Sequence, residues 1–501
     1  MNNLSLIRGG QVLDIRSEKL EPMDILIKDQ RIVDLIRPGT STNDNTRLID
    51  ATGKMLIPGL VNAHTHGHGS LGKGMGDKWS LELLLNAAPW LNGGYTLQDK
   101  SLAARLNAAE MVLKGTTAAY DLFVEFPQPT IEGLQAVASG YQAVGMRSVV
   151  AAMMSDQSFY QAIPGLMDAL PENNVDYARS IRPANYQASL DTCRRLLNDW
   201  PFDRLISKLA LAPTVPLHCS DPFIIGCRDL AEEFDSSIHM HLAESKTQAV
   251  SAIERYGKTL TAHIDELGLL SPRFTAAHFV WPDEDDILRM ADHGCSVAHN
   301  PGSNLRLGSG IAPARAFIEN GLTLGIGTDG SSCSDNQNMF EAMRTAAFVS
   351  RVASPDYTTW LGASEALDLA TRGSAAVLGY DTEMGQLKPG YLADIVFLDL
   401  ANINFVPLNN AINQLVLCED SSAVESVMIG GKLVLKNRQF TTFDYDALVE
   451  EARIAAQRLS ETNADRRVLG NELESAVGLF CIGLTQQHYH VQRHLDAKTF
   501  L

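Results

Sequence analysis

The chain has 501 residues, a length that calls for one large core with smaller accessory parts. Hydrophobic residues make up 45% and charged residues 20%, a globular mix that excludes a disordered chain. The formal net charge of -18 argues against a nucleic-acid partner, which needs clustered Lys and Arg.

No run of eighteen apolar residues occurs, so no membrane partner is expected, and the first residues lack the apolar stretch of a signal peptide. The cysteines (193, 219, 227, 295, 333, 418, 481) are odd in number and form no CxxC pair. They read as reduced thiols of a cytoplasmic protein.

The chain opens with short β runs, Leu4-Ser-Leu-Ile-Arg, Asp24-Ile-Leu-Ile-Lys and Arg31-Ile-Val-Asp-Leu-Ile. From residue 55 apolar runs alternate with amphipathic ones. Strands are expected at Met55–Asn62, Thr116–Leu122, Arg147–Met153, Leu205–Ala212, Ser236–His241, Phe274–Phe279, Cys295–His299 and Leu322–Thr328. Helices are expected between most of them, at Leu97–Leu113, Asp221–Phe234, Thr247–Leu267, Glu284–Asp292 and Ala312–Asn320. Strand–helix alternation on this scale gives an α/β chain with a parallel (β/α)8 barrel. A doubly wound open sheet competes, but no Gly-rich phosphate loop follows any of these strands. Further β runs, such as Ala393-Asp-Ile-Val-Phe-Leu, come late, so both chain ends can share one satellite sheet. The expected division is 1–57 with 380–440 as a composite β-sandwich, 58–379 as barrel, and 441–501 as a helical extension.

The chemistry-bearing residues stand where strands end. His64 and His66 close an apolar strand in Pro58-Gly-Leu-Val-Asn-Ala-His-Thr-His. Period-two geometry turns both imidazoles to one side, which supplies half of a metal site. His241 ends the fifth strand, with Glu244 three residues on; His278 ends the sixth and Asp329 the eighth. These four converge only if the strands close side by side. Thr323, Gly325 and Gly327 share the face of Asp329, and their small side chains are expected to leave room for a ligand.

Taken in order, Pro58-Gly-Leu-Val-Asn-Ala-His-Thr-His, Lys114-Gly-Thr-Thr, Ala212-Pro with Cys219-Ser, His241-Leu-Ala-Glu, Ala277-His, Ala298-His-Asn-Pro-Gly-Ser-Asn, Gly327-Thr-Asp-Gly and Leu387-Lys-Pro-Gly-Tyr-Leu-Ala-Asp-Ile-Val resemble the cytosine deaminase-like branch of the amidohydrolase superfamily. The resemblance covers nearly all of residues 1–435. It implies a (β/α)8 barrel with a composite β-sandwich and a homodimer or higher homo-oligomer. It also implies one divalent ion, Zn2+ first and Fe2+ as the alternative, because no lysine matches a carbamylated bridging ligand.

The ligands are then His64, His66, His241 and Asp329. Asp329 and His278 take the proton of the attacking water, and Glu244 protonates the ring nitrogen of the substrate. The expected reaction is deamination of a small aminated N-heterocycle or cyclic amidine. The alternatives are another hydrolysis at the same metal (cyclic amide opening, or triazine dechlorination or dealkylamination) and, last, a non-catalytic binding protein. Candidate substrate contacts are Trp79, Thr214, His299 and Asn304. Thr214 stands where adenosine-type relatives often carry a histidine, and His218 follows further on, a departure that argues against an adenosine-derived substrate.

Several residues read as supporting. His239 lies one layer below His241 and is expected to be hydrogen-bonded in the core. His68 is a pocket residue, and Asp121 stands behind the ligands. Glycines 67, 69, 72, 74 and 76 mark a mobile loop over the pocket. The tail histidines His488, His490 and His494 read as a solvated or dimer-packed helix; a metal site with Cys481 and Asp496 would fit no standard spacing.

Overall fold

The computed structural model describes residues 4–40, 46–334 and 336–494. Eight parallel strands form its centre: β1 (Leu60–Thr65), β2 (Thr116–Val124), β3 (Arg147–Met154), β4 (Ser207–Pro213), β5 (Ile238–Leu242), β6 (Phe274–His278), β7 (Ser296–His299) and β8 (Thr323–Ile326). Each pairs with the next in chain order. The last returns to the first, where the Asp329 N–H donates to the His64 carbonyl at 2.9 Å. The eight-stranded barrel expected from the sequence is therefore present.

Two glycines allow that closure. A Cβ on Gly325 would stand 2.8 Å from the Ala63 Cβ, and one on Gly327 would stand 2.8 Å from the His64 Cβ. The space they leave is filled by β1. The expectation that these small residues make room for a ligand is corrected: they let the barrel shut.

The first expected strand, Met55–Asn62, is in fact two. Lys54–Pro58 belongs to a satellite sheet, and β1 starts at Leu60. Gly59 makes the break, packed so closely on Thr117 that a Cβ would fall 2.1 Å from its hydroxyl. The continuous apolar run concealed this boundary, because both strands are buried. The expected helix Thr247–Leu267 is likewise two, Lys246–Tyr256 and Leu260–Glu266, parted by Gly257 in a left-handed conformation.

The satellite consists of two sheets. One contains four strands from residues 4–50, and the other joins 54–58, 11–14 and 19–22 to 395–399, 424–429, 432–436 and 439–440. Ile25 and Ile27 of the first pack with Leu56, Ile395, Phe397 and Met428 of the second, so the two form a sandwich built from both chain ends. Beneath the barrel, Arg147 at the start of β3 binds Asp394 through Nε at 2.8 Å and Nη2 at 3.2 Å. Both side chains are buried.

Helix α1 (Leu81–Leu91) follows the glycine-rich segment. The extension forms α2 (Tyr445–Thr462) and α3 (Ala464–Thr485). In length and composition α3 would suffice to cross a membrane. In this fold it lies along α1, burying Gly470, Leu473, Val477, Cys481 and Leu484 at helical spacing. Gly470 permits the close approach, since a Cβ there would meet Trp90 at 2.9 Å.

Replacing Asp394 with Leu strands the Arg147 guanidinium in the interior. It should lower stability by about 3–5 kcal/mol, read from the urea midpoint, and Arg147→Met in the same chain should recover much of the loss.

Candidate metal centre

The sequence places His64, His66, His241, His278 and Asp329 at the ends of four strands, and the barrel brings all five to one point. The Nε2 atoms of His66 and His241 lie 3.1 Å apart. Asp329 Oδ1 is 3.6 Å from His64 Nε2 and 3.4 Å from His66 Nε2, and Asp329 Oδ2 is 3.7 Å from His278 Nε2. Ligands about 2.0–2.2 Å from a tetrahedral Zn2+ stand about 3.3–3.6 Å from one another, so the spacing is that of a first coordination sphere.

Proton placement strengthens the case. His66 Nδ1 lies 2.7 Å from the Leu122 carbonyl, and His241 Nδ1 lies 2.8 Å from the Thr214 carbonyl. A carbonyl only accepts, so both Nδ1 atoms carry hydrogen and both Nε2 atoms carry lone pairs. Two lone pairs 3.1 Å apart repel unless a cation lies between them. His278 is fixed in the same sense, its Nδ1 donating to Asn304 Oδ1 at 2.9 Å. His64 is fully buried, and neither ring nitrogen has a hydrogen-bond partner among the described residues. A bound divalent ion satisfies that nitrogen.

Burial keeps His64, His241 and His278 neutral, as ligands and bases must be. It pushes His64 down to about 3 and His241 well below the usual imidazole range. For Asp329 burial works the other way, but His64, His66 and His278 outweigh it and hold the carboxyl well below its usual range. Glu244 lies on the far side, its Oε2 3.8 Å from His278 Nε2. Burial, then the charges of Asp329 and Glu82, raise its carboxyl well above the usual range. It is a protonated acid beside a set of bases.

Behind the ligands, Asp121 accepts from the Gly67 N–H at 2.8 Å and the Tyr141 hydroxyl at 3.0 Å, the supporting position expected of it. Gln337 joins both ends of the barrel. Its Oε1 accepts from Thr65 Oγ1 at 2.8 Å and Thr328 Oγ1 at 2.6 Å, and its Nε2 donates to the Asp329 carbonyl at 2.7 Å.

A cavity of about 650 Å³ opens over the site, lined by His66, His241, Glu244, His278 and Asp329 and walled by α1 and the segments around residues 153–159 and 177–183. Thr214 lines it as expected. Three other candidate contacts lie off the wall. Trp79 packs edge-on against Trp90, ring centres 6.0 Å apart, in a small apolar cluster. His299 is buried at the end of β7, and Asn304 serves His278. Strand-end position told where these side chains start, not which way the loop beyond carries them.

His239 differs from expectation too: its ring is enclosed by His64 and Tyr120, and neither nitrogen has a partner among the described residues. The glycine-rich segment is anchored, with a 3-10 turn at Gly67–Gly72 and the Gly76 carbonyl accepting from Arg306 at 2.5 Å. Two imidazoles that the motifs left aside reach the cavity, His68 and His218. The displaced histidine after Ala212-Pro213 was the one signal for His218. A short turn at Pro216–His218 swings it inward, and burial pushes it down to about 4.

A closed barrel with this donor set at the C-terminal ends of its strands defines a metal-dependent hydrolase. Residues 55–434 match the amidohydrolase family, and the chain belongs to it. Among its relatives are a 5-methylthioadenosine/S-adenosylhomocysteine deaminase of Syntrophomonas wolfei and a 5'-deoxyadenosine deaminase of Methanothermobacter thermautotrophicus. The first is 31% identical over 87% of this chain and 94% of its own, the second 31% over 92% and 99%. A zinc-bound adenosine deaminase from Xanthomonas campestris superposes with TM-score 0.80 and 28% identity, covering 91% of this chain and 98% of its own. A zinc-bound atrazine chlorohydrolase from Arthrobacter aurescens gives 0.78 and 25%, covering 90% and 100%. The protein is accordingly a hydrolase of carbon–nitrogen bonds in cyclic amidines, with zinc as the metal its neighbours carry.

Purified protein should hold one divalent ion per chain by elemental analysis. His64→Ala should lose it while circular dichroism stays native, and dialysis against a chelator should abolish turnover until zinc is returned.

Proposed function

We propose that this enzyme removes the amino group of the adenine ring in an adenosine derivative altered at its 5' carbon, and releases ammonia. The observation that carries this reading is Glu244, a buried carboxyl with Oε2 3.8 Å from His278 Nε2 at the edge of the donor set, where burial and the charge of Asp329 favour its protonated form. An acid there suits a substrate with a basic ring nitrogen next to the carbon under attack. The activities of the relatives support the adenosine skeleton.

His64, His66, His241 and Asp329 are the residues that would hold zinc, which supplies a water whose pKa is lowered from roughly 15.7 towards 7. Glu244 gives its proton to the ring nitrogen beside the amino-bearing carbon, making that carbon electrophilic. Asp329 and His278 take the proton that the attacking water sheds. That proton passes to the amino group, the carbon–nitrogen bond breaks, and ammonia leaves. The carbon keeps the water's oxygen as a carbonyl, and Glu244 regains a proton from it.

The cavity supports a substituent beyond the ribose. Its outer wall carries Arg466 of α3, which has no carboxylate partner among the described residues. Tyr177 Oη and Ser189 Oγ also line it, and each is buried without a hydrogen bond there. His218 offers the neutral imidazole that Thr214 does not.

Ammonia release from 5'-deoxyadenosine and 5'-methylthioadenosine should exceed that from guanine, pterins and triazines at equal concentration. A preference for a chlorinated triazine would overturn the reading. Glu244→Gln should lower kcat by about 10²–10⁴ with zinc still bound. Arg466→Met should raise KM for S-adenosylhomocysteine more than for 5'-deoxyadenosine.

A further inference from the structure

The backbone around the two proton-handling groups is in an unusual state. Ala243, His278 and Phe279 have φ of 49°, 67° and 47°, a left-handed region that such residues seldom occupy. Each such position is strained and persists only where its surroundings over-determine it. Part of the restraint is local. The Ala243 carbonyl accepts from the Val280 N–H at 3.1 Å and the Trp281 N–H at 2.8 Å, which ties the loop after β5, and so Glu244, to the loop after β6.

The rest comes from the far end of the chain. Arg493 donates through Nε to the Val280 carbonyl at 3.0 Å and through Nη2 to the Pro282 carbonyl at 2.8 Å. Residues 280–282 are thus held on both sides, by Ala243 through their N–H groups and by Arg493 through their carbonyls. The Arg493 carbonyl accepts from the Ile311 N–H at 3.0 Å. Gly310 lets the tail lie flat, since a Cβ there would stand 3.0 Å from that same oxygen. The 308–311 turn is joined in its turn to the site: Trp281 Nε1 donates to the Ser309 carbonyl at 2.7 Å, and the Ser309 N–H donates to the carbonyl of Asn304, the residue that orients His278. His490 on Asp283 at 2.8 Å and His494 on the Gly308 carbonyl at 2.9 Å fasten the tail on either side of Arg493.

We infer that the C-terminal tail is a strap of the active site and that Arg493 is its positioning residue, setting Glu244 and His278 through the backbone between them. The tail lies beyond residue 434, where the family match ends. Among the described residues its hydrogen bonds to the rest of the chain go to residues 280–283 and 308–311, not to a metal ligand. Its effect is to keep two groups at the spacing that proton transfer needs, where an ångström of drift costs about a hundredfold in rate.

The test uses zinc-loaded full-length enzyme with 5'-deoxyadenosine as probe, Arg493→Ala and Arg493→Met as variants, and Glu244→Gln assayed beside them. Both Arg493 variants should lose about ten- to a hundredfold in kcat with KM and zinc content little changed. Hydrogen exchange should show lost protection of the Val280 and Trp281 amides. Added guanidinium should restore part of the kcat of Arg493→Ala, which a merely stabilising residue would not allow. If Arg493→Ala does not fold, Arg493→Met and Arg493→Gln in the full chain carry the test. Wild-type kcat, or unchanged protection of those two amides, overturns the inference. So does a fall in kcat that only follows a fall in bound zinc. The inference rests on the role of Glu244, so retained turnover in Glu244→Gln overturns both readings, whereas an inactive Glu244→Gln beside a fully active Arg493→Met overturns the strap alone.

Discussion

Two imidazole nitrogens facing each other across 3.1 Å, with their hydrogens committed to carbonyls on the opposite sides of the rings, set the terms for this protein. Lone pairs at that separation repel. The Leu122 and Thr214 carbonyls hold the rings in the opposed arrangement, so the fold maintains a local electrostatic conflict that a cation resolves. Much of the surrounding architecture serves to hold that conflict in place: glycines that let β8 close on β1, Gln337 across the seam, and Asp121 behind Gly67.

The same centre separates acid from base. One carboxyl, Asp329, is surrounded by imidazoles and stays ionised, while another, Glu244, faces burial and neighbouring negative charge and keeps its proton. Two groups of nearly equal intrinsic acidity are driven apart by environment alone, and that difference gives the site its direction of proton flow.

Much of this was legible in the sequence because strands impose a period of two and the barrel gathers strand ends on one face. His64, His66, His241, His278 and Asp329 follow from that rule. It fails once the chain leaves a strand. Trp79 was read as a substrate contact from its place in the glycine-rich loop, and His299 and Asn304 from theirs at and after the end of β7, yet Trp79 rests on Trp90, His299 is buried, and Asn304 faces His278. Their directions are fixed by tertiary packing, which leaves no local pattern. Gly325 and Gly327 show the same limit: small residues read equally well as space for a ligand or space for a neighbouring strand. The tail carried no regular signal either, because most of its side-chain hydrogen bonds go to main-chain carbonyls that any sequence provides.

The donor set also draws on the two barrel strands most distant along the chain, which become neighbours only when the ring closes. β1 contributes His64 and His66, and Asp329 comes just after β8, more than half the chain later. During synthesis the amino-terminal ligands therefore emerge long before their partner and lie open while the intervening helices form. Capture of the ion becomes a late event, conditional on the final strand docking, and the centre acts as a clasp that rewards only a completed ring. A chain halted before that strand would hold His64 and His66 on one edge of an open sheet without Asp329, unable to retain zinc with full strength, and would be distinguishable by that weakness from one that had finished folding.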